Sequence, residues 1–265
     1  MLRSALKLCP ALVCLLTSSG LDGREYDKRE VGFDHSDGAY GPEVILADFS
    51  NGTAPDNRRF VSIRDRALNI RFVAGKKVVD TGLGLHVRVP EREAYELRYR
   101  IRFPEDFESG LHGKQLGLSG GRGYDGGRGE EARTNGDGWS VRVQFDATDK
   151  GVRQSLYVYH AGMTGKYGGP VGAGSFLIER GKWHALRLVV TVQSAPEAAD
   201  GRIELWCDEK KKLEAGDLRL VTKEEGRNVN RVRVEMFPGG GGIFPTKDHL
   251  IEIDDVTWRA VDAER

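Results

Sequence analysis

Apolar and polar residues alternate with a period of two along most of this chain, the spacing of a strand with one buried face. Trp139, Val141, Val143 and Phe145 interleave with Ser140, Arg142 and Gln144. Tyr95, Leu97, Tyr99, Ile101 and Phe103 interleave with Glu96, Arg98, Arg100 and Arg102, and Leu186, Leu188, Val190 and Val192 with Arg187, Val189 and Thr191. Further strands are expected at 44–49, 60–63, 67–72, 83–89, 156–159, 203–207, 232–237 and 250–258. Turn chemistry separates them: Asn51-Gly52, Pro104-Glu105-Asp106, Asp200-Gly201 and the glycine run 239–242. No long amphipathic helix is expected, although 208–214 has room for a turn or two of helix and 195–199 for a loop or short helix. With no internal repeat and no linker, the pattern predicts one all-β domain, a β-sandwich or jelly roll of two antiparallel sheets with a concave cleft.

Two of these strands carry an unusual outward face. Ser140, Arg142 and Gln144 point away from the core on one, and Tyr157 and Tyr159 on the other. Solvent-facing strand positions are ordinarily Thr, Lys and Glu, so this set reads as the floor of a polar binding cleft. Arg231, Arg233 and Glu235 alternate against Val232, Val234 and Met236 and can extend that floor. Taken singly, Tyr157 and Tyr159 also fit an aromatic cross-strand pair, and Arg142 a solvated charge.

Charge and composition narrow the function. Lys+Arg and Asp+Glu are both 40, which argues against a bulk nucleic-acid binder. Residues 1–20 read as a secretory signal: Arg3 and Lys7 start it, an apolar run spans Cys9 to Leu16, and Thr17-Ser18-Ser19-Gly20 ends it. The expectation is therefore a secreted or periplasmic domain of residues 21–265, with no membrane span once the signal is gone. Cys9 and Cys14 lie in the signal, leaving Cys207 with no partner and the parity of a buried small hydrophobe.

The run Gly113-Lys114-Gln115-Leu116-Gly117-Leu118-Ser119-Gly120-Gly121, then Gly138-Trp139-Ser140-Val141-Arg142, then Tyr157-Val158-Tyr159-His160, resembles the family-14 polysaccharide lyases. These are alginate and glucuronate-polymer lyases built on a jelly roll. Tyr99 to Pro104, Trp183 with the strand after it, Phe237-Pro238-Gly239-Gly240 and Ile253-Asp254-Asp255-Val256 also fit, so the likeness covers roughly residues 40–260. The chain departs from the family's pattern at Leu116, where Pro is common, and in its long, Gly-rich, charged loop from Gly121 to Asp137. The resemblance implies an anionic uronate polysaccharide as partner, no required cofactor, and Lys114, Ser140, Arg142, Tyr157 and Tyr159 in the catalytic cleft. Strand parity reaches four of these five independently. Lys114 shares phase with Leu116 and Leu118, so a bulge or strand end near Gly113 is needed to turn it into the cleft.

Breaking a uronate polymer by β-elimination requires a neutralised C5 carboxylate, a base for the C5 proton and an acid for the departing O4. Arg142 suits the carboxylate, because its planar fork matches one bidentately. Lys114 can share that task or stabilise the enolate-like intermediate. Tyr157 and Tyr159 are the proton-transfer candidates, with Tyr159 the leading carrier and cations needed beside a tyrosine base. Ser140, Gln144, His112, Arg233 and Glu235 are expected to hold substrate, with His112 a second candidate base. No Cys/His metal spacing is present, and Asp34, Asp37 or Asp254-Asp255 could at most support a structural calcium. Trp206 fits either a sugar-stacking platform or a sheet-edge cover. The competing functions are a non-catalytic carbohydrate-binding module and a sandwich-fold glycoside hydrolase. Glu252-Ile253-Asp254 lacks the last carboxylate of the sandwich-glucanase pattern. Nothing in the pattern calls for an oligomer, and a monomer is expected.

Overall fold

The computed structural model describes residues 29–49, 58–76, 81–172, 174–239 and 244–264. The predicted signal, the Asn51-Gly52 turn and residues 240–242 of the glycine run lie outside the described residues. The elements are β1 (Arg29–Val31), β2 (Gly38–Ala39), α1 (Pro42–Asp48), β3 (Val61–Arg64), β4 (Ala67–Phe72), β5 (Leu83–Arg92), β6 (Ala94–Arg102) and β7 (His112–Gly121). They continue with α2 (Gly129–Asn135), β8 (Gly138–Thr148), β9 (Gly151–Tyr159), β10 (Phe176–Ile178), β11 (His184–Thr191), β12 (Gly201–Cys207), β13 (Lys210–Leu218), β14 (Val229–Pro238) and β15 (His249–Ala260). No helix among them is long and apolar enough to cross a membrane.

The strands form two antiparallel sheets packed as a jelly roll. One has six strands in the order β10-β9-β8-β7-β14-β5; the other has nine, β13-β12-β11-β6-β15-β4-β3-β2 with β1 beside β15. The chain changes sheet at β4–β5, β5–β6, β6–β7, β10–β11, β13–β14 and β14–β15, so each sheet is built from distant parts of the sequence. The inward residues of both sheets make one core. Near one end Phe145 of β8 meets Phe103, Phe107 and Phe72 with ring centroids 5.3, 5.9 and 6.1 Å away. Such pairs are each worth about 0.5–1.5 kcal/mol beyond the area they bury.

Two expectations fail for local reasons. Residues 44–49 are not a strand: Pro42 opens α1, Ile45 and Phe49 one turn apart are buried, and the Arg29 guanidinium donates to the Ala47 and Asp48 carbonyls at the helix end. Residues 208–214 are not helical either. Asp208 and Glu209 both have positive φ, 50° and 61°, and close the two-residue turn between β12 and β13. Lys211 then pairs with Glu204 across that hairpin at 3.0 Å.

Candidate active site

The outer face of the six-stranded sheet collects the polar residues that parity assigns to it. Ser140 lies opposite Tyr159, Arg142 opposite Tyr157 and Gln144 opposite Lys114. A β-bulge puts Lys114 there. Between Lys114 and Gly117, β7 has one more residue than β8 needs, so Gln115 and Leu116 both turn inward and the strand resumes its phase at Gly117. Buried Gln115 is the anchor: it accepts from the Tyr99 hydroxyl at 3.1 Å and donates to Gln154 at 2.5 Å.

Lys114 is 9% exposed. Its Nζ lies 3.8 Å from the centre of the Tyr157 ring and donates to Gln144 Oε1 at 3.0 Å. Burial first, then the neighbouring Arg142 charge, lowers its pKa to about 8, against the opposing pull of Asp146 and Glu235. The amine is therefore mostly protonated at pH 7 and reaches about half free base near pH 8, far below the range of an ordinary lysine. Tyr157 is half-buried, and burial and the adjoining Tyr159 push its phenol up while Arg142 opposes. That phenol keeps its proton and is an acid.

Arg142 is held by an arrangement that crosses the sheet. It runs from β8 over Gly117 of β7, where a Cβ would stand 2.1 Å from the Val141 carbonyl and 2.8 Å from Arg142 Cγ. Only glycine leaves that path open. Beyond it, Glu235 of β14 accepts from Arg142 at 3.4 Å, from Arg233 at 2.9 Å and from His86 of β5 at 2.7 Å. Burial works to raise the Glu235 carboxyl, but the Arg233 charge, the His86 hydrogen bond and Arg142 hold it well below the usual carboxylate range. The Arg142 guanidinium lies 5.3 and 5.6 Å from the ring centres of Tyr157 and Tyr159, placing positive charge beside both phenols.

Several candidate residues take supporting positions. Ser140 is fully buried and donates to the Tyr124 carbonyl at 2.5 Å. Tyr159 is 1% exposed and its hydroxyl accepts the Gly127 N–H at 2.9 Å. Both tie down the loop from Gly121 to Asp137, whose Asp125 and Gly123 carbonyl also receive Arg233. Arg233 and Glu235 are buried beneath the floor rather than open to substrate, because each spends its hydrogen bonds on protein partners. Gln144 and His112 stay half-buried on the Lys114 side, with Gln144 Nε2 donating to Asp146 at 3.1 Å. His86, Tyr124 and Asp125 were not singled out from sequence. His86 was findable, since Gly84, His86 and Arg88 alternate outward against Leu83, Leu85 and Val87.

The acidic residues considered for calcium are already engaged. Asp34 pairs with Arg66 at 2.5 Å, Asp37 accepts the Asp65 N–H at 3.0 Å, and Asp254 and Asp255 each pair with Arg100 at 2.6 Å. Trp206 lies on the other sheet, with the Arg187 guanidinium 4.0 Å above its ring. A groove of about 920 Å³ runs beside it, but its Arg187, Arg202 and Arg259 are committed to glutamates, and it contains none of the proton-transfer set.

A jelly roll whose sheet face joins a depressed lysine amine, a protonated phenol and a buttressed guanidinium defines a protein class built for proton transfer beside an anion. The family model of polysaccharide lyase 14 matches residues 78–246, a stretch that contains that entire face. The chain belongs to this family and is a polysaccharide lyase. No curated protein matches it by sequence. Among solved structures, alginate lyase Aly36B superposes with a TM-score of 0.80 at 24% identity, over 90% of this chain and 99% of that one. A double variant of Aly36B is solved in complex with alginate tetrasaccharide. An alginate lyase from Chlorella virus matches with a TM-score of 0.60 at 15% identity, over 76% and 88% of the two chains. An endo-β-1,4-glucuronan lyase from the fungus Trichoderma reesei gives 0.52 at 14%, over 90% and 96%. At these identities the likeness is one of fold.

Proposed function

We propose that this lyase cleaves a uronic-acid polysaccharide of the alginate or glucuronan type by β-elimination, with Lys114 as base and Tyr157 as acid. The observation that carries the reading is the Lys114 amine, desolvated and stacked on Tyr157 at the mouth of the Arg142 cluster. The free amine takes the C5 proton and becomes an ammonium. The electron pair left at C5 forms the C4–C5 double bond, the C4–O4 bond breaks, and O4 leaves with the Tyr157 proton. Arg142 supplies the positive potential that makes C5 acidic beside its carboxylate, and the Gln144 amide orients that carboxylate. Proton exchange with solvent then restores amine and phenol.

Tyr159 has a different part in this scheme. Its hydroxyl holds the Gly127 N–H, so it fixes the loop beside the acid instead of reaching the sugar. The fold relatives include both an alginate lyase and a glucuronan lyase, and they support either polymer equally as substrate. The order of charged, apolar and small residues in 1–20 supports export, and we read the enzyme as a monomer with no metal requirement, since the carboxylates considered for calcium already have protein partners.

The test incubates purified enzyme with alginate, its mannuronate and guluronate blocks, and glucuronan, following ultraviolet absorbance of the new double bond. Wild type should give a rise on at least one polymer. Tyr157→Phe should lower kcat about 10²–10⁴-fold, the range for losing a positioned acid, while Tyr159→Phe should cost far less. New reducing ends without absorbance would mean hydrolysis, and full activity in Tyr157→Phe would remove Tyr157 from the acid role.

A further inference from the structure

Arg231 stands out because its charge has no acceptor. It projects from the same face of β14 as Arg233, two residues away, and lies opposite Arg88 of β5 and Ser119 of β7. Arg233 is committed to Glu235 and Asp125. Neither Arg231 nor Arg88 has a hydrogen bond or ion pair among the described residues, while Arg231 is half-buried and Arg88 exposed. Burial, Arg233 and Arg88 all disfavour the Arg231 charge, and Asp125 offsets only part of this. Keeping a guanidinium half-desolvated beside two others is costly unless an anion arrives to share it.

The surroundings are shaped for donors. Arg231 Nη1, Ser119 Oγ and Arg233 Nη1 converge on Gly123, at 2.8, 3.1 and 3.4 Å from where a Cβ would stand. Gly123 has φ of 57°, a left-handed conformation that a residue with a side chain adopts only with strain. Ser119 Oγ is fully buried and has no hydrogen-bond partner, so the pocket retains an unused donor as well as an unpaired cation. Along the strands this group lies roughly 15 Å from Lys114, at about 3.3 Å per residue, which is a few sugar rings.

We propose that Arg231, with Arg88, forms a second carboxylate subsite that grips a uronate of the same polymer a few rings from the bond that Lys114 attacks. This deepens, and rests on, the uronate reading above. The planar fork of Arg231 takes the carboxylate bidentately, and Arg88 adds charge at the open edge. Recognition of a distant carboxylate makes the enzyme prefer chains long enough to reach it.

The experiment measures KM and kcat for wild type, Arg231→Gln and Arg88→Gln on whichever uronate polymer wild type cleaves, at low and high NaCl. Arg231→Gln should raise KM about tenfold, the size of one lost charge-assisted pair, with kcat changed less than about threefold. Arg88→Gln should raise KM by a smaller factor, about two- to threefold, since exposed charges are screened. Added NaCl should raise the wild-type KM more steeply than that of Arg231→Gln, because screening acts on a contact the variant has lost. Wild-type KM and salt slope in both variants would overturn the subsite, as would a loss confined to kcat. Should Arg231→Gln fail to fold, the exposed Arg88→Gln decides alone, and an unchanged KM there overturns it. An active wild type with unchanged variants sinks only the subsite, whereas a wild type silent on every uronate polymer sinks the uronate reading and the subsite with it.

Discussion

Lys114 is a residue whose usefulness and whose cost have the same origin. Its ordinary value of 10.5 falls to about 8 because the ammonium is poorly solvated beside Arg142. Between about pH 8 and 10.5 the unfolded chain therefore holds a proton that the native state has released, so stability rises with pH across that window. Below pH 8 the native protein carries a buried ammonium, at a cost of up to about 3 kcal/mol. Lys114→Met should then melt at a higher temperature than wild type at pH 7, with the advantage gone by about pH 10, while losing turnover. In wild type kcat/KM should climb about tenfold per pH unit below 8 and level off above it, as the free amine accumulates. Thermal unfolding at the two pH values and a pH–rate profile check both halves. A Lys114→Met protein that melts lower at pH 7, or a flat profile between pH 7 and 9, would contradict the assignment.

The element that matters most is the bulge in β7. Without the extra residue, Lys114 would share the inward phase of Leu116 and Leu118 and lie in the core. What fixes the bulge is the hydrogen-bonded line Tyr99–Gln115–Gln154, which ties β6 of one sheet to β7 and β9 of the other. Gln115→Leu leaves the Tyr99 hydroxyl and the Gln154 carbonyl without those partners, at about 1–3 kcal/mol for each orphaned group. The denaturant midpoint should fall accordingly, and kcat should fall with it as β7 slips toward regular pairing and withdraws Lys114. Undiminished stability and turnover in Gln115→Leu would show that the bulge has another cause. This also marks where sequence ceases to speak. Strand parity places Arg142, Gln144, Tyr157 and Tyr159 on one face, and the need for a bulge at Lys114 is visible in the clash of phases. Its location is not visible, because it depends on partners on β6 and β9, one strand before and two strands after β7 in the sequence. Likewise nothing in the alternation of Ser140, Tyr159, Arg233 and Glu235 reveals that a loop or a neighbouring arginine will cover them. Residues 44–49 misled for the opposite reason: Val44 and Ile45 favour strands, but Pro42 and the one-turn spacing of Ile45 and Phe49 set a helix.

At the scale of the whole molecule, the two sheets present faces of contrasting electrostatics despite a chain of net zero charge. On the nine-stranded sheet Arg187, Arg202, Lys211 and Arg259 beside the Trp206 groove are neutralised in place. Glu96 accepts from Arg98, Arg187 and Arg259, and Glu204 and Glu214 share Arg202 and Lys211. An anionic polymer entering there would have to break those pairs and desolvate their carboxylates, so the groove repels the ligand that its arginines and tryptophan superficially suit. On the six-stranded sheet the acceptors are fewer than the donors, and Arg231 and Arg88 remain for substrate. The two faces should consequently separate in experiment. Trp206→Ala removes the ring beneath Arg187, a contact worth about 0.5–1 kcal/mol at an accessible site, and should lower the melting temperature slightly. Its KM on the polymer should stay within about twofold of wild type, against the tenfold shift expected for Arg231→Gln. If Trp206→Ala instead raised KM as far as Arg231→Gln, the polymer would have to engage both sheets, and the neutralising role of Glu96 and Glu204 would be wrong.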